Sequence, residues 1–340
     1  MPVERVADRA RVPALVMALR ASLLVVTSIL ASSLPVSGTA AQTSGGTMRV
    51  IYAFAAGGSG DGLARLVADR LGTALGTPGI VENRSGASGR IGTRAVISAP
   101  PDGNTLLISA MGPIALHPIV YNNLDFDPFS DLAPLSQLAT FDIALVLSSG
   151  QGARSVDELV AWIKANPDRA NYGTPGLGGL PHFFAVMFST RAGVTLRNVP
   201  YRGSAAVTND LVSGQLPIAF VPTAENVELH KGGQTRILAT SGALRSPFLA
   251  NVPTFKESGL DLVGEGWFGL YAPAKTPRAI IDKLGEAVVR IMREPELRGR
   301  IEGLGLVPTG TDGATLDVVQ KASREGWGPA IRASGFKPND

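Results

Sequence analysis

Residues 48–71, MRVIYAFAAGGSGDGLARLVADRL, restrict this chain more than any other stretch. Residues 49–54 form a short, mostly apolar run with β-branched and aromatic members. Gly57, Gly58, Gly60 and Gly62 then crowd around Ser59 and Asp61, and Leu63, Leu66, Val67 and Leu71 recur at helical spacing. The pattern predicts a strand, a glycine-rich turn and a helix start. Such a turn captures anions. The first amides of the helix lack partners, its dipole favours negative charge, and glycine lets a ligand approach the backbone. We therefore expect this turn to be half of a binding site. Asp61 could act as a general base, but a short acid here more simply caps the helix or braces the loop.

The pattern returns further on. Residues 170–172 lead into Gly173-Thr174-Pro175-Gly176-Leu177-Gly178-Gly179, and a helical run follows at 182–192. Between the two turns, strands are expected at 79–82, 105–109, 135–139 and 143–147, and helices at 91–98 and 156–165. Ser155 and Glu158 are spaced as a capping box for the second of these helices. Met111 sits in the loop after the strand at 105–109. Beyond the second turn, strands are expected at 199–201, 218–221, 237–240 and 268–272, the last returning to the first half, with helices around 205–212, 278–292 and 315–323. Alternating strands and helices argue an α/β protein with mostly parallel sheets. Two glycine turns in separate halves argue two such domains facing one cleft, where ligands bind beyond the carboxyl ends of the strands.

Composition removes several classes of function. The chain has no cysteine, which excludes disulfides, thiolate metal sites and a lipidated cysteine anchor. The formal charge of +3 is spread without a basic block, so no nucleic-acid partner is expected. Arg5, Arg9, Arg11 and Arg20 precede an apolar core at 21–31 and a small-residue region ending Ala40-Ala41-Gln42. This is the layout of a secretory signal covering residues 1–41, and its core is too short to span a bilayer. Removing it takes four arginines and two acids, so the charge falls from +3 to +1. Gly58-Ser59-Gly60 with Glu82 only partly matches a dinucleotide fingerprint, because the third glycine comes one residue early. No serine lies in G-x-S-x-G or begins S-x-x-K, no H-E-x-x-H pair exists, and no Walker sequence is present. His117, His182 and His230 lack partner motifs and are expected to be structural or exposed, not catalytic. Trp267 fits either the core or an aromatic wall of the cleft.

Taken together and in order, several segments resemble the periplasmic solute-binding proteins of tripartite tricarboxylate transporters, the TctC-like or Bug family. Phe54-Ala55-Ala56-Gly57-Gly58-Ser59-Gly60-Asp61 is similar to the family's F-P-P-G-G-x-x-D, and Val81-Glu82-Asn83-Arg84-Ser85-Gly86-Ala87-Ser88-Gly89 to its V-E-N-R-P-G-A-G-G. Pro101-Asp102-Gly103, Val199-Pro200-Tyr201-Arg202-Gly203-Ser204, Val252-Pro253-Thr254 and Trp267-Phe268-Gly269-Leu270 fit as well. The resemblance covers about 48–336. It implies a Venus-flytrap fold, the periplasmic-binding-protein architecture of two α/β domains with crossover strands. Expected boundaries are 42–143 with 272–340 for domain 1, and 144–271 for domain 2.

The same resemblance implies a non-enzymatic, exported, monomeric receptor without cofactor or metal. It would take a small mono- or dicarboxylate and deliver it to the large and small membrane subunits of the transporter. A sensory protein serving a two-component partner shares the fold and site, and a hydrolase or dehydrogenase is a distant third. Implied ligand-binding residues are Phe54, Gly57, Gly58, Ser59, Gly60 and Asp61 on the first turn, with Met111 beside it. On the second side they are Thr174, Gly176, Gly178, Gly179, His182, Gly203, Ser204 and Pro222. Departures matter: Ala55 and Ala56 replace a proline pair, Gly60 and Gly179 stand where hydroxyls are common, and Pro222 falls where many members carry Asp. An amino-acid ligand needing an acid for its ammonium is therefore not expected.

Overall fold

The structure, a computed structural model, describes residues 46–336. The export signal expected at 1–41 and its cleavage point lie outside the described residues.

The chain enters on β1 (Met48–Tyr52), whose Met48, Val50, Ile51 and Tyr52 are all buried, as befits a strand covered on both faces. The glycine turn follows and delivers the chain into α1 (Ser59–Leu75). Leu63, Val67 and Leu71 of α1 are 0% exposed, so each contributes about 1.5–3 kcal/mol of burial. Gly76 ends the helix at φ 71°, and the amides of Gly76 and Thr77 close the last turn on the Thr73 and Gly72 carbonyls. β2 (Gly79–Asn83), α2 (Arg90–Ile97) and β3 (Thr105–Ala110) complete a first block, with β1 parallel to both β2 and β3.

Next comes β4 (Leu132–Ser148), a single 17-residue strand where two shorter strands were expected. Thr140-Phe141-Asp142 looks like a break because the chain is polar there. It is the point at which β4 exchanges partners. After α3 (Val156–Ala165), a second block repeats the first: β5 (Asn171–Thr174), α4 (Leu180–Ala192), β6 (Arg197–Pro200), α5 (Ser204–Val212) and β7 (Ile218–Pro222), with β5 parallel to β6 and β7. Ser155 caps α3 by accepting from Glu158 N (3.1 Å), while the Glu158 carboxylate reaches back to Arg154 N (2.7 Å), one residue earlier than a standard capping box.

β8 (Thr235–Thr240) and β9 (Glu265–Pro273) then return the chain. The strands lie in the order β2-β1-β3-β9-β4-β7-β5-β6, with β8 also on β4. β4 runs antiparallel to β9 from Leu132 to Asp142, then to β7 and β8 from Ile143 onward. Parallel pairing is thus confined to the two blocks, and β4 with β9 forms an antiparallel bridge between them. α6 (Arg278–Ile291), α7 (Pro295–Gly303), β10 (Val307–Pro308) and α8 (Gly313–Ala333) close the chain, and β10 adds to β4. The helix expected at 315–323 therefore continues to Ala333 through Gly326 and Pro329. α7 gave no periodic signal because it buries only Leu297 and Ile301. Trp267 is core: it is 3% exposed and its indole donates to Ser323 Oγ of α8 (3.0 Å).

Candidate functional site: a closed cleft between two glycine turns

The first turn is held from beneath. Asp61, 5% exposed, accepts from Gly57 N (3.1 Å) and Asn83 Nδ2 (2.7 Å) and pairs with Arg65 (3.1 Å). Burial alone would raise its carboxyl, but the hydrogen bonds from Asn83, Arg65 and Gly57 outweigh it and hold the group below its usual value. Asp61 braces the loop. Gly57, at φ 96°, makes the bend and brings the turn against Ala205 of α5.

The second turn is built the same way. Thr174 Oγ1 donates to the Gly176 carbonyl (3.0 Å), and His182 Nδ1 accepts from Gly178 N (3.3 Å). Burial lowers His182 to about 4, so the ring is neutral and serves as a brace. Gly178, at φ 70°, turns the chain beside His117 and Tyr121.

The chain after β1, β3, β5, β6 and β7 converges on one cavity of about 80 Å³, room for a small ligand or several waters. This is the position the parallel-sheet rule gives, beyond the carboxyl ends of the strands. Phe54 and Gly58 line it from the first turn, Met111 from the segment after β3, Gly176 and Gly179 from the second turn, Gly203 and Ser204 from the chain after β6, and Pro222 from the end of β7. Gly57, Ser59, Gly60, Asp61, Thr174, Gly178 and His182 do not line it. Asp61 bonds Gly57 N, Asn83 and Arg65, Thr174 bonds the Gly176 carbonyl and lies by Asn198, and His182 bonds Gly178 N; Ser59 is engaged as described below. Gly60 lies behind the wall, where an added Cβ would sit 2.1 Å from the Tyr52 hydroxyl.

Several wall residues escaped the sequence. Phe141 and Phe268, from the bridging strands, stack at 4.9 Å and form the floor beside Tyr52. Gly112 and Pro113 lie in a turn of π-helix (Gly112–Leu116), an element common at functional sites. A Cβ on Gly112 would stand 3.4 Å from Gly179 Cα, which shows how near the two sides approach. Ser88 sits at φ 53° after Ala87 at φ 46°, a strained pair, and its hydroxyl accepts from Leu177 N (3.1 Å) across the cleft. The glycine-rich loop at 83–89 was the available signal for it.

Glu225 is the most consequential omission. It follows β7 in a short helical turn (Thr223–Asn226), and its Oε1 accepts from Ser59 N (2.9 Å) and Ser59 Oγ (2.7 Å), 166 residues away. The first free amide of α1 is therefore filled by a carboxylate of the protein itself. Burial pushes the Glu225 carboxyl up, and the bonds from Ser59 and Ser204 pull it partly back. Tyr52 is raised by burial and by the nearby Glu225 charge. Among the described residues no Lys, Arg or His lines this cavity; Arg202 lines a neighbouring hollow that shares several wall residues with it. Among the described residues no cluster of His, Asp or Glu could hold a metal ion.

Known proteins share this chain's sequence pattern and fold. The family described as "Tripartite tricarboxylate transporter family receptor" matches residues 63–336. Protein BugT of Bordetella pertussis is 30% identical over 297 residues, spanning 85% of this chain and 90% of BugT. Among solved structures, Rpa4515 of R. palustris with adipate superposes with TM-score 0.82 at 29% identity, covering 86% of this chain and 98% of that one. MatC of Rhodopseudomonas palustris with bound malate gives TM-score 0.80 at 26% identity, covering 84% and 98%.

Proposed function

This chain belongs to the tripartite tricarboxylate transporter receptor family, a family of periplasmic solute-binding proteins, and we propose that it closes on a small carboxylate and delivers it to the membrane subunits of such a transporter. One observation carries the reading. Two glycine turns from separate parallel blocks close over a single cavity, joined by Ser59 to Glu225 on one side and Leu177 to Ser88 on the other. A cavity built this way surrounds its ligand and must open to release it. In support, two relatives of the same fold were solved with malate and with adipate. The opening bodies we propose are 42–143 with 272–340, and 144–271, hinged on β4 and β9. With the α1 amide occupied by Glu225, the ligand carboxylate is proposed to lie toward Gly179 and Leu180, where α4 starts without a side-chain cap. In this proposal the ligand carboxylate uses the second helix start alone.

The test is a thermal-shift screen of small carboxylates on the exported protein, with each incubation assayed for product. A ligand at a hundred times its Kd stabilises by about 2.7 kcal/mol, roughly 5 °C for a chain of this size. A shift of that order without product is expected. Conversion of a carboxylate into product, or no shift with any carboxylate, refutes the reading.

A further inference from the structure

Glu225 changes what the cleft can accept. Among the described residues its carboxyl is the one acidic side chain lining the cavity, and it stands at the start of α1, where a ligand anion would otherwise be drawn. A Cβ on Gly58 would lie 3.1 Å from Oε1 and 3.4 Å from Oε2, so both oxygens sit directly over the first turn. Oε1 already accepts two bonds from Ser59, at 2.7 and 2.9 Å. Among the described residues no cationic side chain lines the cavity to balance a further negative charge. The rest of the wall is largely apolar, with Phe54, Met111, Phe141, Leu180 and Phe268 among its members.

We propose that Glu225 is the specificity-determining residue of the cleft: the site takes a monocarboxylate whose far end carries a hydrogen-bond donor, a hydroxyl or amine, and rejects a second carboxylate. This rests on the proposal that the cleft binds carboxylates at all. Like charges forced together in a site that excludes water cost enough to discriminate strongly, whereas a donor offered to a carboxylate makes a charge-assisted bond. The replacement of an acid by Pro222 had argued against an amine-bearing ligand. Glu225, three residues on, restores an acid to the site, and an amine becomes an eligible donor.

The experiment is calorimetry on the full exported protein with length-matched probes: succinate against 4-hydroxybutanoate, and adipate against 6-hydroxyhexanoate and 6-aminohexanoate. The same set is run on Glu225→Gln, which keeps the length and an oxygen for the Ser59 amide while removing the charge. The donor-bearing monocarboxylates are expected to bind wild type at least about tenfold tighter than the matched diacids, and the gap should close or invert in the Gln variant. Diacids binding wild type as tightly as their partners overturn the role of Glu225 and leave the carboxylate receptor standing. A wild-type gap that persists unchanged in Glu225→Gln also overturns it. Failure of every mono- and dicarboxylate to bind wild type overturns the receptor reading itself, and this inference with it. The wild-type ratios need no variant, so a Gln protein that does not fold still leaves the proposal open to refutation.

Discussion

Gly60 and Gly285 are both helical, and the structure predicts opposite outcomes for the same substitution. A Cβ on Gly60 would meet the Tyr52 hydroxyl at 2.1 Å and the Phe268 ring at 2.8 Å. Both neighbours are buried, at 6% and 3% exposed, and Phe268 is held by Phe141 behind it. Forcing a methyl into such packing costs about 1–3 kcal/mol, while replacing glycine by alanine within a helix returns about 1 kcal/mol. Gly60→Ala should therefore lose on the order of 1 kcal/mol, and its displaced rings should intrude on the cavity. Around Gly285 in α6 there is nothing within 4 Å of an added Cβ. Gly285→Ala should then gain about 0.5–1 kcal/mol from helix propensity and a restricted unfolded chain. Urea unfolding of both variants beside wild type, with slopes compared, reads the sign directly. A Gly60→Ala protein at least as stable as wild type, with Gly285→Ala destabilised, would refute the packing assigned to the first turn.

Two further predictions concern charge. Asp61→Asn should destabilise by roughly 1–3 kcal/mol, because the brace on Gly57 and the pair with Arg65 are lost together. The Asp61 carboxyl is depressed when folded, so its contribution is present above the unfolded value of 3.8 and fades as pH falls through the lower folded value. A variant as stable as wild type at pH 7 would contradict the bracing role. Asp142 faces Glu265 across the β4–β9 pair, and burial, with that neighbour, raises it to about 6. Its folded value lies above its unfolded one, so wild type should lose stability as pH rises from about 4 to about 6, on the order of 1–2 kcal/mol after screening. Asp142→Asn should flatten that slope, and an unchanged pH profile would count against it.

How much of this was legible in the sequence follows the range of the interactions. Local signals were readable: the strand, glycine turn and helix of residues 48–71, its echo at 170–192, and the cap at Ser155 depend on neighbours a few residues apart. β4 was read as two strands because Thr140 and Asp142 interrupt the apolar pattern, and only the sheet shows that Asp142 faces Glu265 while Ile143 faces Pro222. The site follows the same logic. Turn glycines and the residues after the strands were named, and Thr174, Asp61 and His182, also named for the ligand, each hold a bond within their turn that the sequence did not show. Glu225 carried no sequence signal, because its partner at Ser59 is set by the folding of two blocks against each other.

The central proposal is that the two glycine turns close together over one bound carboxylate ligand. Hydrogen exchange read by mass spectrometry, with and without a saturating carboxylate from the screen, tests it in a single measurement. The amides of 54–60 and 176–182 should slow together, while those of α6 keep their rate. Protection confined to one turn, or appearing only at a surface away from the cavity, would contradict a closing cleft.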